Sequence, residues 1–293
     1  MESKVGGRRN VLMLVSAMLI WGTIGIFRKY IPVSSAFLAF SRGMLGGLFM
    51  LAFVLVRRKK RSEKLQLSKT LLLALTGAAM GINWILLFEA YNYTSVAVAT
   101  LCYYMEPTIV MLLSPFIFKE RLSAKRAVCA AVAIVGMVLI SGVIGGGQTG
   151  SVKGVLLGLG AAVLYSAVVI MNKRISGLDA YSKTAIELMS AGAVMIPYML
   201  LTGGAAAAGF DARTVILLLT VGLIHTGVAY LLYFGSMDGL KAQSIAILSY
   251  IDPVSALLFS ALFLKEALSL LTVIGAILII GSAVAGEMHT DRK

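Results

Sequence analysis

Six ionisable side chains interrupt otherwise apolar runs of this chain: Arg42, Glu89, Glu106, Glu187, His225 and Asp252. Such groups are costly at bilayer depth and are kept where they face a wet interior, a partner or a proton path. Glu106 and Asp252 each stand directly before a proline, Pro107 and Pro253. A proline has no N–H for the carbonyl four residues back, here that of Tyr103 or Ser249. A carboxylate beside a released carbonyl can receive an ammonium group, and a carboxyl that changes protonation can carry a proton. The same pair would equally cap backbone and bend a helix, and the residues alone leave both readings open. Arg42 carries the planar fork that grips a carboxylate through two bonds. It could instead pair with Glu89, which lies toward the same side, and close that end. Glu187 matches Arg42 in position within its own half of the chain, at mirrored depth, so the two need not touch. His225 offers proton transfer or a hydrogen bond to a neighbouring helix.

Aromatic and amide groups surround these positions in sequence: Trp21, Asn83, Trp84, Tyr103, Tyr104, Tyr165, Tyr230, Tyr233, Gln243 and Tyr250. Any single one reads first as core packing. Together they suit an aromatic-lined polar cavity for a small zwitterion. The expected solute-binding set is Glu106, Asp252, Asn83, Trp84, Tyr104, Tyr250, Arg42, Trp21, Tyr165, Tyr230 and Gln243. Arg42, Glu89, Glu187 and His225 are the gating or coupling candidates. Tyr104 and Tyr250 precede their acids by two residues, which on an unbroken helix places tyrosine and acid on roughly opposite faces.

Catalytic chemistry finds little to work with. The chain has no Gly-x-Ser-x-Gly element, no His-Glu-x-x-His and no phosphate-binding glycine loop. His225 is the single candidate base at depth. Both cysteines, Cys102 and Cys129, fall in apolar runs and read as small buried apolar residues. No enzyme activity, cofactor or metal is expected.

The elements that must position these groups follow from composition. The 293 residues are 59% hydrophobic and 13% charged, against roughly 25% charged in soluble domains. The net charge of +13 sits in short loops between apolar runs, which is the pattern of cytoplasmic loops and not of a nucleic-acid face. Ten runs are long enough to cross a bilayer: 11–31, 35–56, 69–90, 94–118, 125–143, 153–172, 181–202, 212–235, 242–264 and 270–286. With the N-terminus inside, only Arg28, Lys29, Lys153, Arg213 and Lys265 fall in outside loops. The remaining loop lysines and arginines fall inside, so both termini are expected in the cytoplasm. The first run lacks a small-residue cleavage site and reads as a retained helix in a plasma (inner) membrane. Small residues at helical spacing, Gly43 and Gly47, Gly77 and Gly81, Gly154 and Gly158, Gly235 and Gly239, read as close helix packing.

One stretch occurs twice. Tyr104-Met105-Glu106-Pro107 through Lys119-Glu120-Arg121-Leu122-Ser123 returns 146 residues later as Tyr250-Ile251-Asp252-Pro253 through Lys265-Glu266-Ala267-Leu268-Ser269. Eight of twenty aligned positions are identical. The two Lys-Glu pairs read as ion pairs that fix the ends of moving helices, a structural role, with gating as the lesser alternative. The first run of each half also matches, with Trp21 opposite Tyr165. The glycine-rich join at 145–150 separates halves of five runs each. Five is odd, so the second half starts on the opposite side of the membrane. The expected fold is therefore an all-α membrane protein whose ten transmembrane helices form two inverted five-helix repeats, 1–147 and 148–293.

With these motifs in place, the chain resembles the EamA family of the drug/metabolite transporter superfamily over nearly its whole length. The resemblance implies a secondary transporter that exports small polar metabolites such as amino acids by alternating access, with proton coupling left open. The expected partners are a small-molecule substrate and membrane lipid, with no nucleic acid, in a monomer or a homodimer. The alternative is a lipid scramblase or flippase-like protein, or another non-transport intramembrane protein; a scramblase would show a groove open to lipid along its length.

Overall fold

The computed structural model describes residues 2–57, 67–117, 119, 123–140, 151–175, 177–202, 211–237, 240 and 242–287, without the side chains of 2–7, 126, 242, 243 and 246. Every regular element among them is helical: α1 Glu2–Gly22, α2 Ile24–Tyr30, α3 Ser35–Arg57, α4 Leu67–Tyr93, α5 Val96–Tyr103, α6 Glu106–Ile117 and α7 Ala124–Ile140. There follow α8 Val152–Lys173, α9 Ala180–Thr202, α10 Ala212–Leu219, a π-helical segment Thr220–Val228, α11 Ala229–Met237, α12 Ala242–Ser249, α13 Ile251–Phe263 and α14 Leu270–Glu287. Helices are what apolar runs must form in lipid, because each backbone N–H and C=O has to find its partner within the segment.

Each run read from the sequence coincides with one helix or a consecutive set, to within a few residues at the ends. Among the described residues, seven stretches are long and apolar enough to cross a membrane: Arg8–Tyr30, Ser35–Arg57, Leu67–Tyr93, Val96–Ile117, Val152–Lys173, Ala180–Leu201 and Ala212–Met237. Ala127–Ile140, Ile247–Phe263 and Leu270–Gly286 are shorter apolar helices. The surface fits such a chain. Leu55, Val56, Phe116, Leu200, Leu201 and Ile277 are exposed, while Arg28, Arg42, Asn83, Glu187, His225 and Thr226 are buried. Apolar side chains out and polar ones in is the reverse of a soluble domain, and it identifies a multi-pass membrane protein.

Three interruptions shape the interior. The helix pair α5–α6 breaks at Tyr104–Met105 and the pair α12–α13 breaks at Tyr250. Pro107 and Pro253 sit in the first turn of α6 and α13, where a missing N–H has no intrahelical partner to lose. Each proline thus starts a new helix instead of bending an old one. Between α1 and α2 the break falls at Thr23, whose hydroxyl donates to Ile20 O at 2.7 Å. The π-helical segment is backed by hydroxyls as well: Thr226 Oγ1 donates to Val221 O at 3.0 Å, five residues back.

Close helix crossings hold the bundle. Helix α3 packs on α9, α4 on α8 and α9, α7 on α14, and α1 on α11 and α13. A Cβ on Gly43 would lie 2.6 Å from Gly192 N, and one on Gly77 would lie 2.3 Å from Glu187 O. The small-residue stripes are therefore packing surfaces, as expected, and Gly239 lies outside the described residues.

Contacts sort the helix ends into two groups. At one end Lys29 Nζ donates to Tyr91 O, Ser151 N donates to Tyr93 O at 3.3 Å, and the Arg213 guanidinium is 5.9 Å from the Tyr30 ring. At the other end Arg57 lies 4.9 Å from the Tyr181 ring and Lys183 Nζ donates to Ile175 O. These are called the Tyr30 end and the Tyr181 end below.

Candidate functional site

The residues flanking the break at Thr23, the break at Tyr104 and Arg42 meet around one partly enclosed cavity. Its walls come from Trp21 on α1, Gly25 on α2, Arg42 on α3, Trp84 and Tyr91 on α4, and Thr100 and Tyr103 on α5. Tyr104 from the break, Glu106 on α6, Tyr165 on α8, Tyr230 on α11, and Asp252 and Ala256 on α13 complete it. About 110 Å³ is open to the centre of a water-sized sphere. One water needs roughly 10–15 Å³ on that measure, so the cavity has room for several waters or part of a small solute.

A second hollow of about 420 Å³ continues it toward the Tyr181 end, where Asn172, Thr184, Glu187, Tyr233, Ser249 and Tyr250 line it. The two hollows share Trp21, Tyr104, Glu106, Tyr165 and Tyr230. Glu106 is the charged residue common to both linings.

Arg42 is fixed from behind. Its Nε donates to Thr226 Oγ1 at 3.0 Å, and its guanidinium carbon lies 4.2 Å from the centre of the Trp84 ring. The planar cation is held by a hydroxyl and an aromatic face, neither of which cancels its charge. Asp252 accepts a hydrogen bond of 2.5 Å from the Tyr104 hydroxyl through Oδ2. That bond ties α13 to the break of the equivalent helix pair. Aromatic contacts pin the remaining walls: Trp21 lies 5.1 Å from Tyr230 edge to face, and Tyr103 lies 5.4 Å from Tyr165.

Of the expected solute-binding residues, Trp21, Arg42, Trp84, Tyr104, Glu106, Tyr165, Tyr230 and Asp252 line this one cavity. Tyr250 lines the second hollow instead. It also borders a lipid-facing apolar groove between α1 and α13. The Gln243 side chain lies outside the described ones. Asn83 does not line either hollow: its Nδ2 donates to Ala161 O at 2.5 Å, joining α4 to α8. The expected opposition of Tyr104 and Glu106 is also corrected, because the chain breaks between them and both face the cavity.

The gating and coupling candidates divide. Glu187 borders the second hollow, where Asn172 Nδ2 donates to its Oε1 at 2.6 Å. Glu89 accepts from Asn92 at 3.3 Å and lies within electrostatic reach of Arg28, so the structure does not make it the partner of Arg42. His225 is buried and lines neither hollow. Its Nε2 is 2.9 Å from Thr23 Oγ1, and its carbonyl accepts from Trp21 Nε1 at 2.8 Å. The reading of His225 as a hydrogen-bonded link between helices fits this geometry.

Glu266 needs a larger correction. It was expected in an ion pair, yet its carboxylate accepts from the backbone N–H groups of Val96 at 3.0 Å and Ala97 at 3.4 Å. The matching Glu120 lies outside the described residues. Thr226, Tyr91 and Thr100 were not singled out from sequence at all. A threonine in an apolar run looks like packing until the helix opposite is known.

Residues 8–142 and 152–285 each match the EamA-like transporter family. The chain belongs to that family. This EamA-family chain is similar to the uncharacterized transporter YxxF of Bacillus subtilis (strain 168), 28% identical over 271 residues, which span 92% of this chain and 86% of the relative. It is also similar to the protein RarD of Salmonella typhi, 25% identical over 267 residues, spanning 88% of this chain and 87% of that protein. A protein of known crystal structure with 21% identity superposes with a TM-score of 0.65 over 94% of this chain and 95% of that one. That likeness concerns the fold alone. Family and relatives point to transport rather than to catalysis.

Proposed function

We propose that this EamA-family chain is a secondary transporter of small polar metabolites such as amino acids, working by alternating access in the plasma membrane. The observation that carries the reading is the single cavity whose lining brings Arg42, Glu106 and Asp252 together among aromatic side chains. Arg42 receives the solute carboxylate, and the acids at the starts of α6 and α13 receive its ammonium group. With all three ionised, the cavity holds one more negative than positive charge. A solute cation or a proton relieves that excess, and competition between them at Glu106 or Asp252 couples transport to a proton gradient.

The topology we propose has ten crossing segments in two inverted repeats, 1–147 and 148–293, with both termini cytoplasmic. The two separate family matches support the repeats, as do the alternation of helix ends and the exchange pattern of contacts, with α4 on α8 and α1 on α11. On this orientation the Tyr181 end is cytoplasmic, the larger hollow opens inward and the solute leaves the cell. The chain acts as a monomer in this reading. A scramblase needs a polar track exposed to lipid. The lateral groove is lined by Leu19, Ile247, Ile251, Val254, Leu258 and Phe259, with Tyr250 and Ser255, an apolar lining that offers no such track.

Purified protein in liposomes, given labelled amino acids and related metabolites with and without a pH gradient, tests the reading. Saturable uptake is expected, and Glu106→Gln is expected to lower it at least about tenfold. Unchanged uptake and unchanged pH dependence in Glu106→Gln would remove that carboxylate from the mechanism. No uptake of any solute by the unaltered protein sinks the proposal.

A further inference from the structure

Lys265 and Glu266 line neither hollow, yet Glu266 makes a long-range contact across the fold. Glu266 belongs to the link between α13 and α14, where Lys265 takes a left-handed backbone angle of φ 54°. The N–H of Glu266 donates back to Ser260 O at 3.4 Å. This turn presents the Glu266 carboxylate to the start of α5, where it accepts from Val96 N and Ala97 N. The first N–H groups of a helix have no partner within it, and they form its positive end. Helix α5 supplies one cap itself, Ser95 Oγ accepting from Val98 N at 3.1 Å. For two others it depends on a carboxylate 170 and 169 residues further along the chain.

The place of this contact matters. Thr100 on α5 and Ala256 on α13, which line the enclosed cavity, lie about one turn and two to three turns inward of it. A Cβ on Gly25 of α2 would lie 2.3 Å from Val96 Cγ1, so the capped turn is also wedged against α2. The carboxylate thus bridges, at the Tyr30 end, two helices that both wall the cavity.

We infer that Glu266 is the latch that keeps this end closed, gripping the start of α5 while the cavity opens toward the Tyr181 end and releasing it when the cavity opens the other way. The inference rests on the alternating-access reading above. A charge-assisted bond to two backbone N–H groups is directional and is replaced by water when broken, so it can be remade in each cycle.

Two cysteine reporters test it in proteoliposomes, labelled from each side with a membrane-impermeant thiol reagent: Ala256→Cys in the enclosed cavity and Val169→Cys, whose parent residue lines the second hollow. In Glu266→Gln, labelling of the Ala256→Cys reporter from the Tyr30 face is expected to rise about tenfold, the change that roughly 1.4 kcal/mol produces. Labelling of the Val169→Cys reporter is expected to fall, and Glu266→Asp is expected to lie between. Unchanged labelling of both reporters overturns the latch. A rise in both, which is what loosening of the fold would give, overturns it as well. If the unaltered protein carries no solute and neither reporter responds to any solute, it is the transport reading that has failed.

Discussion

Arg42 reaches the cavity with its direction already set, by Thr226 on one side and the Trp84 ring on the other. A lysine ammonium would keep the charge but lose the flat face and the fork. Arg42→Lys is expected to raise the KM for a carboxylate-bearing solute about tenfold and to change kcat less, as read from initial rates in liposomes. His225 supplies the contrast. Its ring joins Thr23 outside both hollows, so His225→Gln is expected to leave the pH profile of transport in place. It should lower thermal stability in detergent by about 1–3 kcal/mol through buried bonds lost. Normal stability with a shifted pH profile would reverse that assignment. The sequence made the acids and Arg42 legible because ionisable groups stand out in apolar runs. It hid Thr226 and pointed Asn83 to the wrong role, because their partners are 184 and 78 residues away and their types suit many roles.

Helix ends and helix contacts differed in how far they could be read. Hydropathy located every run, and Pro107 and Pro253 marked where two of them break. The break at Thr23 and the π-helical segment at Thr220–Val228 carry no proline, and their glycines, Gly22, Gly25, Gly222 and Gly227, read the same as those of close-packed continuous helices. Glycine spacing likewise marked close-packed faces without naming what packs there. The structure makes the difference testable. A Cβ at Gly77 meets the carbonyl of Glu187 on α9, whereas one at Gly281 meets nothing within 4 Å. Gly77→Ala is expected to cost about 1–3 kcal/mol, seen as a lower melting temperature in detergent. Gly281→Ala is expected to be neutral or to stabilise by up to about 1 kcal/mol through helix propensity.

The whole molecule places one irregular turn twice: Lys119 and Lys265 have φ of 56° and 54°, each following one of the broken helix pairs. That recurrence is what a duplicated unit leaves in the backbone, and it supports the proposed repeats. If the halves are inverted, residues 58–66 between α3 and α4 and the 145–150 join face opposite sides. Ser62→Cys is then expected to react with an impermeant thiol reagent only from the cytoplasmic side, and Thr149→Cys only from outside. Reaction of both from one face would end the inverted arrangement. That the chain is an all-helical, multi-pass membrane protein could be read from its composition and hydropathy, since both are linear properties of the chain. The division of the interior into two hollows could not, because it depends on which rings meet across helices.

Those rings have an optical consequence. The chain has two tryptophans, Trp21 and Trp84, and both stand in the wall of the enclosed cavity. One lies against Tyr230 and the other beneath the Arg42 cation. All of the protein's indole emission therefore originates at the place where a solute would rest, so arrival of a guest should alter its intensity or colour with no dye attached.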